Sequence, residues 1–291
     1  VTASSPPTGI TTTLVDDLRG LLPPSPRTHQ ANEPFTGALL PGIPQSDPQT
    51  VALARIAASQ WANRPVTERA RIMLRFGQLL AQHTDQLCTL MQWETGKARI
   101  HATIEVQGVV SVALHYGRHA ARYLRQRHVP GPIPGLVRAQ VDYRPKGVVG
   151  VIAPWNYPLF LAVGDVIPAL IAGNTVVSKA DSQAPLTLRL LALKLAHQAG
   201  LPPRVWQIVA GPGAEIGPAL IETVDYLCFT GSTTTGRDIG GMRDSGLGRR
   251  HGPEGIQRYT EPQTITTQRI PTPTRTAPGD CSPTSSPASH S

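Results

Sequence analysis

Four short runs rich in β-branched residues, Val148–Ile152, Thr175–Ser178, Val205–Val209 and Tyr226–Thr230, alternate with helix-patterned stretches at Leu159–Ala172, Ala184–Ala199 and Ala214–Thr223. That rhythm constrains the chain more than anything else in it. Strands that read as continuous apolar runs are buried on both faces, and a crossover helix after each makes neighbouring strands parallel. The sequence therefore predicts an α/β fold, a doubly wound parallel sheet, over residues 147–239. A helix starting near Thr233 should lead to a fifth strand. The chain passes instead into a glycine-rich segment, Gly240–Gly248.

Upstream, Thr50–Trp61 and Val66–Cys88 carry the helical period, with Ile72, Phe76, Leu79, Leu80 and Leu87 on one stripe. Glu94-Thr95-Gly96-Lys97 reads as a turn, and a further helix runs from about Thr103 until Pro130–Pro134 breaks it. Residues 49–135 thus form a helical part. Val137–Tyr143 alternates like a strand within 136–146, and Tyr259–Arg269 reads as a last, polar strand within 240–269. Nearly half of the 29 Pro lie in the tails. Val1–Pro48 is expected to be flexible and residues 270–291 disordered, because the tail has almost no apolar side chains to offset ordering entropy.

The net charge is +8. The densest basic stretch, His115–His128, reads as a solvated helix face without a nucleic-acid motif, so no nucleic-acid partner is expected. An anionic ligand also suits a basic chain. Cys88, Cys228 and Cys281 show no metal spacing, and no metal site is expected. No run is long enough to span a bilayer and nothing reads as a signal peptide, so a cytoplasmic, membrane-free protein is expected.

Open α/β sheets bind ligands beyond the carboxyl ends of their strands. Four such ends are polar or glycine-rich here: Ala153-Pro154-Trp155-Asn156-Tyr157-Pro158, Lys179-Ala180-Asp181-Ser182, Gly211-Pro212-Gly213, and Thr230-Gly231-Ser232. Each alone has an ordinary reading. Asn156 is then a turn asparagine, Lys179 a solvated strand end, and Gly231-Ser232 a common helix start. Together they point to a nucleotide. Ser232 and the amides of Thr233–Thr235 offer free N–H groups and a helix dipole to a phosphate, with Gly231 and Gly236 allowing close approach. The first strand lacks a following G-x-G-x-x-G, so the ordinary dinucleotide fingerprint does not apply.

In this order and spacing, Gly147–Asn156 (GVVGVIAPWN), the Lys179 turn and the Gly231–Gly236 loop resemble the cofactor half of aldehyde dehydrogenases. Gly240–Arg269 resembles the far end of the same family. The run Gly241–Gly255 and Asp181-Ser182-Gln183 are most similar to succinate-semialdehyde dehydrogenases. The resemblance implies NADP or NAD as cofactor, with Pro154, Trp155, Thr230, Gly231, Ser232 and Gly236 along the dinucleotide and Lys179 on the adenosine ribose. Gly211 and Gly217 would shape the adenine cleft, and Asn156 would donate to the oxyanion formed from an aldehyde. Ser182 stands where NAD-preferring members often carry a glutamate. A serine there admits a 2′-phosphate, so NADP is expected to be tolerated or preferred. Between the two segments the family carries its catalytic domain, with a nucleophilic cysteine and a general-base glutamate. The resemblance implies that this domain is missing at the seam Arg237–Gly241 and that none of the three cysteines replaces the nucleophile. Cys88 and Cys228 read as core residues, and Cys281 lies in the tail. The chain is expected to be catalytically incompetent alone, with a small aldehyde as substrate only in an active form. The strands 136–146 and 259–269 match the family's oligomerisation arm, which makes self-association or joining a full-length dehydrogenase relative physically possible.

Overall fold

The computed structural model describes residues 3–131, 133, 137–181, 187–232, 236 and 251–268. Its centre is a parallel sheet of β5 (Val148–Ala153), β6 (Thr175–Ala180), β7 (Trp206–Val209) and β8 (Tyr226–Phe229) in the order β7-β6-β5-β8. The chain winds outward in one direction through β6 and β7, then returns across β5 to place β8 on the other side. That reversal makes the carboxyl ends of β5 and β8 the switch point at which open α/β sheets bind ligands. The predicted doubly wound fold is what forms, with strand ends shifted by a residue or two.

Helix α6 (Phe160–Ala172) explains how the apolar run after β5 is accommodated. It is buried from Ala162 through Val163 and from Asp165 through Ala172, packed between the sheet and the outer helices. Gly173, at φ +103°, turns the chain out of the helix in a conformation that side chains with a Cβ rarely adopt. Asn174 then ties three elements: its amide donates to Ala169 O and Tyr259 O (3.0 Å each), and its oxygen accepts from Gly147 N at 2.9 Å.

The other helices are α2 (Leu53–Ala62), which follows a 3-10 turn at Pro48–Ala52, α3 (Val66–Gln82), α4 (Thr84–Thr95), α5 (Arg99–Tyr123), α7 (Thr187–Gln198) and α8 (Gly213–Thr223). The single helix expected over Val66–Cys88 is interrupted at His83. There the Thr84 hydroxyl donates to Ala81 O at 2.8 Å, a local bond that competes with continuation of the ladder. Helix α5 starts at Arg99, earlier than expected, and its Arg118 and Arg122 are exposed, as a solvated basic face requires, as is Arg125 just beyond its end.

The first 48 residues depart from expectation. From residue 3 onward they fold onto the domain instead of flexing. Helix α1 (Thr12–Arg19) buries Val15 and Leu18, and the short strands β1 (Thr28–His29) and β2 (Ile43–Pro44) pair antiparallel. Ile10, Leu22, Leu40 and Ile43 join the main core, and Asp17 pairs with Lys194 of α7 at 3.3 Å. Apolar residues placed between the prolines supply the burial that the composition concealed.

A second sheet stands apart. Strands β3 (Arg127–Val129), β4 (Val137–Pro145) and β9 (Thr260–Gln268) are antiparallel in the order β3-β4-β9. β4 and β9 pair from Val137↔Gln268 to Pro145↔Thr260, so the polar strand expected near the end of the chain docks against the strand preceding the parallel sheet. The short helix α9 (Gly252–Gln257) leads into it and packs on α5 and α6. The seam, residues 237–250, and the tail from 269 lie outside the described residues.

Candidate active site and dinucleotide cleft

Strand register builds the site. Ile152 lies beside Lys179 and Phe229, and Lys179 lies beside Val209, so the carboxyl ends of all four strands finish at one level. Thr230 N donates to Ile152 O at 2.9 Å, which holds the fourth strand end against the first. The expected residues from Pro154, Asn156, Lys179, Gly211 and Gly231 are therefore brought to one edge of the sheet.

After β5 the chain turns outward. Pro154 is half-buried while Trp155 and Asn156 are exposed, and the Asn156 side-chain oxygen accepts from Tyr157 N at 3.0 Å. Its side-chain nitrogen is the group left to donate to a ligand. Lys179 is 6% exposed, and burial pushes its pKa below the ordinary lysine value while Asp181 opposes that shift. A desolvated ammonium at a strand end is a strong donor for a hydroxyl or phosphate oxygen. Ser182 lies outside the described residues.

At the fourth end, Gly231 and Ser232 are exposed, and Gly236 N donates to Ser232 O at 3.0 Å, a turn of helical spacing. Thr233–Thr235 lie outside the described residues. Along the third end, Gly211 has φ +144°, and a Cβ there would meet Gln45 Cγ at 3.0 Å and Ile216 Cγ1 at 3.1 Å. Gly217, on α8, has open space where a Cβ would stand. A backbone edge with the buried Lys179, glycines at Gly211 and Gly231 that leave no space for a side chain, and open space at Gly217 fit an extended anionic dinucleotide.

Several contributors were not foreseen. Ser46 exchanges bonds with Ala210, N to O at 2.8 Å and Oγ from N at 3.0 Å, while Gln45 Nε2 donates to Glu215 at 2.9 Å. The N-terminal segment thus finishes the wall at the third strand end. Glu105, with no exposed side-chain surface, accepts from Leu159 N at 2.7 Å and Phe160 N at 2.9 Å, capping α6 where the Asn156 turn enters it. The sequence places Glu94 and Lys97 in a turn, and in the fold Lys97 reaches both Glu105 and Asn156 O. An E-T-G-K turn followed by a helix with an inward glutamate was the only signal available, and it does not specify these partners.

Cys88 and Cys228 sit in the core as expected. Cys88 is fully buried beside Thr103 Oγ1 at 3.7 Å. Cys228 is buried in β8, its sulfur accepting from Arg258 Nη2 at 3.0 Å and donating to Tyr259 OH at 3.5 Å. Burial and the nearby Asp165 push its thiol pKa up, with Arg258 opposing them. Cys281 lies outside the described residues, which themselves contain no metal-binding group of three or more His, Cys, Asp or Glu. No helix among them is long and apolar enough to cross a membrane.

The profile of the aldehyde dehydrogenase family matches residues 23–240. The chain belongs to that family. Among curated aldehyde dehydrogenase relatives, a Mycolicibacterium smegmatis protein provisionally named succinate-semialdehyde dehydrogenase (NADP(+)) is 48% identical over 211 residues. That match covers 71% of this chain and 41% of the relative. The mitochondrial benzaldehyde dehydrogenase of Antirrhinum majus is 37% identical over 224 residues, covering 74% and 41%. Among solved structures, the NADP-dependent glyceraldehyde-3-phosphate dehydrogenase of Bacillus halodurans, complexed with NADP, superposes with TM-score 0.69 at 31% identity, covering 74% of this chain and 47% of that one. The aldehyde dehydrogenase of Brucella melitensis biovar abortus gives 0.70 at 32% identity, covering 75% and 46%. The chain thus spans about two fifths of the curated relatives. Only residues 230–251 separate β8 from α9.

Proposed function

We propose that this chain is a nicotinamide-dinucleotide-binding module of the aldehyde dehydrogenase family that does not oxidise aldehydes by itself. The observation that supports binding is the alignment of four strand ends carrying Asn156, Lys179, Gly211 and Gly231-Ser232 at one edge of the sheet. Lys179, with Ser182, holds the adenosine ribose and its 2′-phosphate, which favours NADP. Gly231, Ser232 and the following turn take the pyrophosphate, with Gly236, Thr230, Pro154 and Trp155 along its course. Gly211 and Gly217 flank the adenine.

When bound, the dinucleotide supplies a hydride acceptor. The chain's own contribution is to bind and orient, with the Asn156 amide placed to stabilise negative charge on an aldehyde oxygen. Oxidation through a thioester needs a thiolate and a base. Cys88 is enclosed in the core and Cys228 has its thiol pushed up by burial, so neither meets the first need. The relatives' names favour a succinate-semialdehyde-like substrate for an intact form. The β4–β9 arm supports association with a second copy or a full-length relative, because β9 is an edge strand among the described residues. A cytoplasmic setting suits a nicotinamide-dependent module.

The test is thermal unfolding of the purified chain with and without NADP. Ligand at 100-fold over its dissociation constant adds about 2.7 kcal/mol to the native state, so the melt moves up. A cooperative melt that NADP does not move overturns the binding reading. NADPH production from succinate semialdehyde that survives replacement of all three cysteines overturns the non-catalytic one.

A further inference from the structure

Helix α7 brings to the site a group that no motif singles out. Arg189 is 2% exposed, and its Nε donates to Pro158 O at 2.9 Å while Nη2 donates to Ala153 O and Pro154 O at 3.3 Å each. These three carbonyls bracket Trp155-Asn156-Tyr157. Between them, Asn156 O accepts from Lys97 Nζ at 2.6 Å. The turn is thus held by cations from two separate elements, one bonding its flanks and one its apex.

Stability alone is a weak reason for such a residue. A desolvated guanidinium costs free energy that its contacts only partly return, and apolar replacements of similar volume are often neutral or better. Burial lowers the Arg189 pKa to about 10, with Glu94, Asp181 and Glu105 favouring the charged form, so it stays charged at neutral pH. Its planar fork reaches carbonyls on both sides of Asn156, which a flexible point charge does not do in one geometry.

We propose that Arg189 is a positioning residue for Asn156, fixing the turn after β5 so that the asparagine amide faces the ligand in a single orientation. This rests on the reading of Asn156 as an oxyanion donor, but its test does not require a bound cofactor. Trp155 reports on the turn directly. It is 50% exposed, whereas Trp61, Trp93 and Trp206 are 1%, 5% and 2% exposed, so acrylamide quenches Trp155 selectively.

The experiment compares the full chain with Arg189→Met and Arg189→Lys, measuring the cooperative melt, acrylamide quenching, and the fluorine resonance of Trp155 in 5-fluorotryptophan-labelled protein, assigned with Trp155→Phe. Positioning predicts that Arg189→Met keeps a cooperative melt while Trp155 quenching rises about twofold and its resonance broadens as the turn gains mobility. Arg189→Lys should restore part of the difference. Unchanged quenching and line shape in a folded Arg189→Met overturn the proposal, even with a lowered melting temperature, since that is what a merely structural role gives. If Arg189→Met does not fold, Arg189→Lys decides: raised quenching with an intact melt supports positioning, and wild-type quenching overturns it. Titration of the wild-type chain with NADP is read separately. Its failure removes the dinucleotide reading and leaves the Trp155 comparison standing.

Discussion

Lys97 Nζ lies 2.5 Å from Glu105 Oε2, and the carboxylate it pairs with has no exposed side-chain surface. The other Glu105 oxygen caps the first turn of α6 through Leu159 N and Phe160 N. One buried ion pair therefore fixes where the main apolar helix begins and where the Asn156 turn ends. Lys97 also stands 4.1 Å from the centre of the Tyr157 ring, a second hold on the same turn.

Removing the carboxylate should be severe. Glu105→Ala takes the carboxylate from a half-buried ammonium and leaves two backbone N–H groups without their acceptor, and is expected to cost about 3–5 kcal/mol in urea unfolding. Glu105→Gln keeps an acceptor for the backbone and should cost less, about 1–3 kcal/mol. A Glu105→Ala chain within the error of wild type would show that the cap does not hold α6.

Lys179 should govern the choice of dinucleotide. A hydrogen bond to a charged group contributes about 1.5–3 kcal/mol, so Lys179→Met is expected to weaken NADP binding by roughly tenfold or more. NAD, which lacks the 2′-phosphate, should lose less. Calorimetric titration of both ligands checks the difference, and equal losses would place Lys179 away from the ribose phosphate.

Two histidines predict acid sensitivity. Burial lowers the pKa of His197 below its ordinary 6.5. His115 is lowered first by burial and then by His119, His251 and Arg122. A group whose folded pKa is depressed contributes stability that is present above the unfolded value, near 6.5, and is lost as pH falls through the folded value. The melting temperature should therefore drop below that pH, and less steeply in the double variant His115→Gln/His197→Asn. Identical acid slopes for both chains would assign the loss to other groups.

The segment beyond the seam can be tested through Tyr259. Its ring is fully buried, its backbone carbonyl accepts from Asn174, and its hydroxyl meets the Cys228 sulfur. Tyr259→Ala should cost about 3–5 kcal/mol, as deletion of a buried aromatic does. It should also speed amide exchange along β4 and β9. Wild-type stability in this variant would mean that residues 251–268 are not docked in solution.

The strands and helices of the sheet were legible because each depends on its own stretch of sequence. Val148–Ala153 and Phe160–Ala172 advertise burial through uninterrupted apolar residues. The N-terminal segment was misread because Leu18, Leu40 and Ile43 are spaced among prolines without a period, and their burial depends on surfaces supplied by residues far along the chain. The break at His83 was missed for a smaller reason: the apolar stripe continues across it while a threonine hydroxyl diverts the backbone.

The site divides in the same way. Asn156, Lys179 and Gly231-Ser232 could be placed at the carboxyl edge from the sequence because strand ends in an open parallel sheet must converge, and these residues stand at strand ends. Glu105, Lys97, Arg189 and Gln45 could not. Each acts on a group far along the chain, a backbone group for the first three and the Glu215 carboxylate for Gln45, and no local pattern encodes which carbonyl a buried cation will find. Sequence alone determined the sheet, its winding and the residues at its carboxyl edge, because periodicity and turn chemistry are local. Tertiary structure alone decided what holds the Asn156 turn, since only folding brings α5 and α7 to it and removes the water that would otherwise satisfy their charges.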